Sequence, residues 1–407
     1  MPDVSVLEIL LHGEKIATLT HVGGDRTIFA FSDEYINDAN RSLLGLGFKN
    51  SIGGLITGFP STQTRILPWL SNLLPEGYLR RYLAERAGVK SVREFFMLWI
   101  LGQDLPGAIV AQPADGEELP PTAHGSDGQE ESFHEKILRF SLAGIQLKFS
   151  AIENSEKGLT IPVQGIGGDK ILKLPSRDFQ ALPENEYSMM KLASLVGINV
   201  PRVALIKIDL IENLPRNIGT FGTHAFTIDR FDRPPNRHSI HIEDFAQIFG
   251  VYPEEKYNRA SIGNIAAVVG VEGQPNDIQE LIRRLVFNVL IGNADMHLKN
   301  WSLIYRDRKK ASLAPAYDFV STICFIPDEK FALNFSRTKR FDEFSMDELS
   351  RLAGKARLPE KLILEVASET VTNFHEQWRT EKNNLALSKD MISTIDRHLS
   401  RIPITRE

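Results

Sequence analysis

The chain has 407 residues, 42% hydrophobic and 24% charged, with 47 Lys plus Arg against 52 Asp plus Glu and a formal net charge of -5. That length holds about two to four ordinary domains and excludes a small stapled scaffold, and the acidic balance disfavours a protein that grips nucleic acid over most of its surface. The single cysteine, Cys324, forms no intramolecular disulfide and no CxxC metal site, and reads as a buried small apolar residue in a reducing compartment.

In chain order, Met1-Pro2-Asp3-Val4-Ser5 carries neither a basic nor an apolar leader stretch, and no apolar run approaches the roughly 18 residues that span a bilayer, so the expected place is the cytoplasm. Apolar runs at 4–10 and 15–19 flank His12-Gly13-Glu14 and predict a β-hairpin, with another strand at 27–31. Helices are predicted over 78–87, closed by Gly88, and over 92–101, closed by Gly102. Residues 1–110 thus read as an N-terminal α+β subdomain. Residues 111–136 are rich in Pro, Gly, Ser and acids, as in Pro113-Ala114-Asp115-Gly116-Glu117-Glu118, and carry too little apolar side chain to repay ordering. They predict a mobile acidic connector. Strands at 170–174, 202–210 and 225–231 surround one helix at 183–195, a β-rich small lobe over residues 137–235. From 241 onward the pattern is helical, interrupted by one strand pair near 301–314, so residues 236–407 read as a helical lobe. A β-rich part followed by a helical part, with a cleft between them, is the organisation of a two-lobed enzyme of α+β class.

The stretch richest in chemistry is Ile291-Gly292-Asn293-Ala294-Asp295-Met296-His297-Leu298-Lys299-Asn300. Upstream, Asp277-Ile278-Gln279-Glu280 resembles a capping box, and Ile278, Leu281, Ile282, Leu285 and Val289 predict a helix that Gly292 stops. Asp295 and Asn300 have the spacing that kinases use, an Asp to deprotonate the acceptor hydroxyl and an Asn to hold Mg²⁺, while by that spacing alone a pair of turn-forming loop residues is the commoner alternative. A predicted hairpin over 301–314 returns the chain to Ala316-Tyr317-Asp318-Phe319, bringing Asp318 beside Asn300 as a second hard oxygen ligand. A turn role for Asp318 after Pro315 is the alternative.

A phosphate site also needs a fixed cation. Lys173 points opposite to Leu172 and Leu174 in its strand, while Glu186 shares a helical face with Met190 and Ala193, where an acid is costly unless paired. The two predict a Lys–Glu pair of the kinase small-lobe kind, against the alternative of a Glu facing water. Ser141-Leu142-Ala143-Gly144-Ile145-Gln146-Leu147-Lys148 combines small residues with a lysine and is the candidate phosphate cradle. Gly165-Ile166-Gly167-Gly168 reads instead as a hairpin turn. Phe226-Thr227-Ile228-Asp229-Arg230-Phe231-Asp232-Arg233-Pro234 suits a hinge whose backbone and Phe231 contact an adenine, or an edge strand ending in a turn. His238 and His241 lack a third ligand nearby and read as surface or capping histidines.

Together these residues resemble the HipA toxin family of bacterial serine/threonine kinases. The resemblance runs through the segment from Ser141 to Lys148, Glu184-Asn185-Glu186-Tyr187, Asp229-Arg230-Phe231-Asp232-Arg233, the Asp295 loop and Tyr317-Asp318. In the N-terminal region it includes Asn72-Leu73-Leu74-Pro75-Glu76-Gly77 and Gly102-Gln103-Asp104-Leu105-Pro106-Gly107. It implies a kinase-like fold with an appended N-terminal subdomain, dependence on ATP and Mg²⁺, and phosphorylation of a protein serine. By that resemblance Asp295 is the catalytic base, and Asn300 and Asp318 hold Mg²⁺. Ala143, Gly144, Ile145, Gln146, Leu147 and Lys148 would form the phosphate loop, with Lys173, Asp229, Arg230, Phe231, His297, Lys299 and Tyr317 also at ATP. Ser141 matches the position that family members autophosphorylate, and about two negative charges there would repel the nucleotide and inactivate the toxin. The resemblance further implies a small DNA-binding antitoxin of HipB type as partner. It also implies an aminoacyl-tRNA synthetase target, the glutamyl enzyme above all, whose modification stalls translation. Three departures stand out: Asp229 where a Glu is common, Leu147 where an acid is common, and Phe319-Val320 in place of a completed DFG triplet. A small-molecule kinase of the same fold, or a pseudokinase scaffold bridging an antitoxin to operator DNA, are the alternative functions.

Overall fold

The structure, a computed structural model, describes residues 4–114, 148–153, 159–161, 167–176, 178–214, 222–235, 238–327 and 330–406. The predicted N-terminal hairpin forms between Ser5–Leu11 and Glu14–Val22, with His12 and Gly13 both left-handed at φ 54° and 83°, the backbone a tight hairpin turn requires. These strands belong to a five-stranded sheet in the order Thr62–Gln63, Arg26–Phe31, Glu14–Val22, Ser5–Leu11, Ile109–Pro113. The last strand pairs with Ser5–Leu11, so the subdomain runs past residue 110 and takes the first residues expected in the connector. Helix Gly77–Ala87 ends at Gly88 as predicted. The next helix, Glu94–Leu101, starts later than the expected 92, because Val92 stays 59% exposed while Glu94 is buried, accepting from Ile66 N at 3.0 Å and Ser71 Oγ at 2.9 Å.

The small lobe is a six-stranded sheet in the order Ile211–Glu212, Leu159–Thr160, Lys148–Glu153, Lys170–Lys173, His224–Asp229, Val203–Lys207. Alternation along its strands divides the two faces between two cores. Phe149, Ala151, Leu172 and Ala225 pack with the N-terminal subdomain. Phe226 and Ile228 pack instead with Met189, Met190 and Ala193 of helix Leu182–Leu195 and with the helical lobe. Ser141, Ala143, Gly144, Ile145, Gln146 and Leu147 lie outside the described residues, as do Gly165 and Ile166.

The helical lobe is built on Ile262–Glu272, Asp277–Leu290, Met346–Ala356, Glu360–Glu381 and Lys389–Leu399. Four expectations are corrected here. The capping box at Asp277 does not form: its Oδ2 accepts from Gln274 N at 2.7 Å and Leu313 N at 2.9 Å, joining the helix start to the hairpin. The strand pair at 301–314 is a three-stranded sheet, because His241–Asp244 pairs with Ser302–Tyr305, which pairs with Ser312–Leu313. His241 is therefore no surface histidine. It is fully buried against the N-terminal subdomain, with Nε2 2.7 Å from Leu44 O and its ring stacked on Tyr305 at 5.6 Å, and burial pulls its pKa down to about 4. Cys324 is only partly buried, its Sγ 3.3 Å from Ser321 Oγ. No helix among the described residues is long and apolar enough to cross a membrane.

A buried ion network fastens the N-terminal subdomain to the hinge. Arg230 reaches Asp104 at 3.1 Å and Asp232 at 2.9 Å, while Arg233 reaches Leu105 O at 2.8 Å and Gly107 O at 2.6 Å. The motif Gly102-Gln103-Asp104-Leu105-Pro106-Gly107 thus serves as the socket for the charged end of strand His224–Asp229.

Candidate active site

Lys173 lies in an interior strand, opposite Lys148 on one side and Phe226 on the other. The residue is 5% exposed, and its ammonium bonds both the Glu186 and the Asp318 carboxylates. Burial alone would lower the Lys173 pKa, but the charges of Asp318 and Glu186 outweigh it and hold the group above its ordinary range, a fixed cation. Glu186, 1% exposed, is paired rather than facing water. Its neighbours anchor the same helix. Glu184 Oε1 lies 3.6 Å from His224 Nδ1, and Asn185 accepts from Ser321 N at 2.9 Å and donates to Ser321 O at 3.4 Å. The helix that carries Glu186 is thereby tied to the segment that follows Asp318.

The Asp295 loop begins where helix Asp277–Leu290 ends, with Gly292 at φ 66° and so close to Ile323 that a Cβ would lie 2.4 Å from its Cδ1. Asn293 then pins the loop. Its Nδ2 donates to Asn288 Oδ1 at 2.8 Å and to Asp318 O at 3.2 Å, and its Oδ1 accepts from Asp295 N at 3.1 Å. Asp295 is exposed, and Tyr257 Oη donates to its Oδ1. Asn300 Nδ2 donates to Asp295 O at 2.9 Å, and Tyr317 Oη donates to Lys299 O at 2.9 Å, which brings the residues beside Asp318 and Asn300 into contact. Asp318 itself stands in the left-handed region at φ 57°, which an Asp tolerates better than most residues.

The other expected site residues divide. Phe231 packs on Tyr317 with ring centroids 5.9 Å apart, and Asp229 accepts from Lys170 Nζ at 2.6 Å. Arg230 and Lys299, expected at ATP, have their charged ends in protein contacts: Arg230 in the Asp104 and Asp232 network, Lys299 Nζ on Glu76 Oε1 at 2.7 Å and Asn72 O at 3.0 Å. His297 is buried with its ring 5.1 Å from Tyr257, and burial, aided by the nearby Lys256 charge, pulls its pKa down to about 3, so it is neutral. Lys148 holds its place in the strand beside Lys173. Nothing in the spacing singled out Tyr257, Asn293 or Glu76; a buried Asn and an acid opposite two lysines become visible only when distant segments meet.

The donor set fits a hard divalent cation. Asn300 spends its amide nitrogen on Asp295 O, so its oxygen would be the atom to ligate a cation, and Asp318 would add a carboxylate. Among the described residues no group of three or more His, Cys, Asp or Glu could hold a metal, so Mg²⁺ at Asn300 and Asp318 would share its coordination with phosphate oxygens.

Residues 7–112 match the family model described as the HipA N-terminal domain, and residues 140–378 the one described as the HipA-like C-terminal domain. The chain belongs to the HipA family. A Sinorhizobium fredii protein named "Putative kinase Y4dM" is 49% identical over 413 residues, covering 100% of this chain and 99% of its own length. The "Serine/threonine-protein kinase toxin HipA" of Shewanella oneidensis is 28% identical over 331 residues, 73% of this chain and 71% of that protein. The solved structure of the Shewanella oneidensis MR-1 HipA, HipB and operator DNA complex contains a chain that matches with a TM-score of 0.71 at 21% identity, covering 97% of this chain and 95% of that one. The architecture described above is the HipA fold, kinase-like and two-lobed with an N-terminal subdomain, and the resemblance read from the sequence motifs holds over both parts of the chain.

Proposed function

We propose that this HipA-family chain is an ATP- and Mg²⁺-dependent protein serine/threonine kinase of toxin type. One observation carries the reading: the Lys173 ammonium is held between Glu186 and Asp318, and Asn293 ties Asp318 to the loop that presents Asp295. ATP would supply the transferable γ-phosphoryl group, with Mg²⁺ held by Asn300 and Asp318 offsetting its charge. Asp295, exposed and oriented by Tyr257 and Asn293, takes the proton of the acceptor serine. Lys173 orients phosphate oxygens as a cation whose position its two carboxylates fix. Ala143, Gly144, Ile145, Gln146, Leu147 and Lys148 supply the phosphate loop, Asp229 and Phe231 the hinge contacts, and Ser141 the autophosphorylated position that switches the enzyme off. The partner is an antitoxin like the HipB bound to the Shewanella oneidensis relative, which supplies most operator contacts for a chain of net charge -5. The target is an aminoacyl-tRNA synthetase in the cytoplasm, the glutamyl enzyme first.

Incubation of the purified chain with labelled ATP and Mg²⁺ tests this. Wild type should label itself, and Asp295→Asn, or chelation of the metal, should cut incorporation by orders of magnitude. Equal labelling by Asp295→Asn and wild type overturns the assignment. Phosphoproteomics after induced expression identifies the target, and a synthetase serine is the expected site.

A further inference from the structure

Glu76 immediately precedes helix Gly77–Ala87 but makes no side-chain cap bond to it. Its carboxylate leaves the N-terminal subdomain instead: Oε2 accepts from Lys256 Nζ at 2.7 Å and Oε1 pairs with Lys299 Nζ at 2.7 Å. Both lysines are buried, 6% and 9% exposed. Asn72, in the same motif, adds two bonds across the boundary: its carbonyl accepts from Lys299 Nζ at 3.0 Å and its Nδ2 donates to Val251 O at 2.7 Å. Burial would push the Glu76 carboxyl up, but the Lys299 and Lys256 charges hold it down at about 2, so it is ionised at every physiological pH.

The two lysines flank the Asp295 loop. Lys299 adjoins Asn300, and its carbonyl takes Tyr317 Oη at 2.9 Å beside Asp318. Lys256 adjoins Tyr257, whose hydroxyl rests on Asp295, and its carbonyl accepts from Leu298 N at 3.4 Å. One carboxylate of the N-terminal subdomain therefore braces both the metal-ligand side and the base side of the loop. Exposed ion pairs of this kind contribute little, whereas a buried carboxylate between two ammonium groups fixes geometry, because displacing it strands charge in a poorly solvated place.

We propose that Glu76 is a positioning residue for phosphoryl transfer, through which the N-terminal subdomain sets the placement of Asp295 and Asn300. This rests on the kinase reading above. Misplacing a reacting group by about 1 Å can cost about 10²-fold in rate, so the expected signature is a loss of maximal rate and not of nucleotide affinity.

The experiment measures autophosphorylation rate against ATP concentration in the full chain for wild type, Glu76→Gln, Glu76→Asp and Tyr257→Phe. Glu76→Gln should lower the maximal rate by about tenfold or more with the half-saturating ATP concentration unchanged within about twofold. Glu76→Asp, which keeps the charge, should recover part of the rate. Tyr257→Phe should lower it several-fold, and the Glu76→Gln/Tyr257→Phe double variant should lose less than the product of the single losses, since both act through one loop. A maximal rate for Glu76→Gln within about twofold of wild type overturns the proposal. Should Glu76→Gln fail to melt cooperatively, Glu76→Asp and Tyr257→Phe decide, and wild-type rates for both overturn it. Equal labelling by wild type and Asp295→Asn is a different result, and it fails the kinase reading itself.

Discussion

Glu243 is fully buried where the N-terminal subdomain meets the helical lobe. It accepts from Leu46 N at 2.8 Å, Trp69 Nε1 at 3.1 Å and the Tyr305 hydroxyl. Burial pushes its carboxyl up from 4.5 to about 7, against those three hydrogen bonds, which lower it. Between those values the folded chain keeps a proton that the unfolded chain has released. Unfolding then releases a proton, so stability falls as pH rises, by about 1.4 kcal/mol per pH unit. The contribution is whole below 4.5 and is lost as pH passes through about 7, a total of about 3 kcal/mol. Glu243→Gln removes the titration. Urea unfolding of wild type and Glu243→Gln at pH 5, 6, 7 and 8 isolates the effect, because the difference between the two proteins cancels the titrating groups remote from Glu243. The wild type should lose about 2.5 kcal/mol relative to the variant between pH 5 and pH 8, since part of the total lies below pH 5. A difference constant to about 0.5 kcal/mol over that range refutes the reasoning.

Two further predictions concern the charged interior. Asp104→Ala should destabilise by about 3–5 kcal/mol in chemical denaturation, because it leaves the guanidinium of the buried Arg230 with half its carboxylate partners; a change below about 1 kcal/mol would show that Asp232 alone suffices. Lys173→Met should abolish autophosphorylation and also lower the melting temperature, since Glu186 is left buried without its cation. Adding Glu186→Gln should restore the melting temperature but not the labelling, and recovery of labelling would refute the role given to Lys173.

Local features were legible in the chain because their causes are local. The hairpin around His12 and Gly13, the helix ending at Gly88 and the loop carrying Asp295 and Asn300 follow from alternation, left-handed turn residues and short spacing. So did the Lys173–Glu186 pair: its members stand 13 residues apart, and an acid on an apolar helix face requires a cation. The third member of that cluster, Asp318, stands 145 residues from Lys173, and Glu76 stands 180 from Lys256. No periodicity connects positions so distant. Alternation told which strand residues face a core, but not that the small-lobe sheet would give one face to the N-terminal subdomain and the other to the helical lobe. His241 and Asp277 were misread for the same reason, since a polar side chain takes whichever partner packing brings within about 3 Å. The amino-acid order alone determined the family and the chemical groups available. Tertiary structure decided which of those groups are spent on holding the lobes together and which, like Asp295, stay exposed, because a buried charge can be satisfied only by the neighbour that the completed fold supplies.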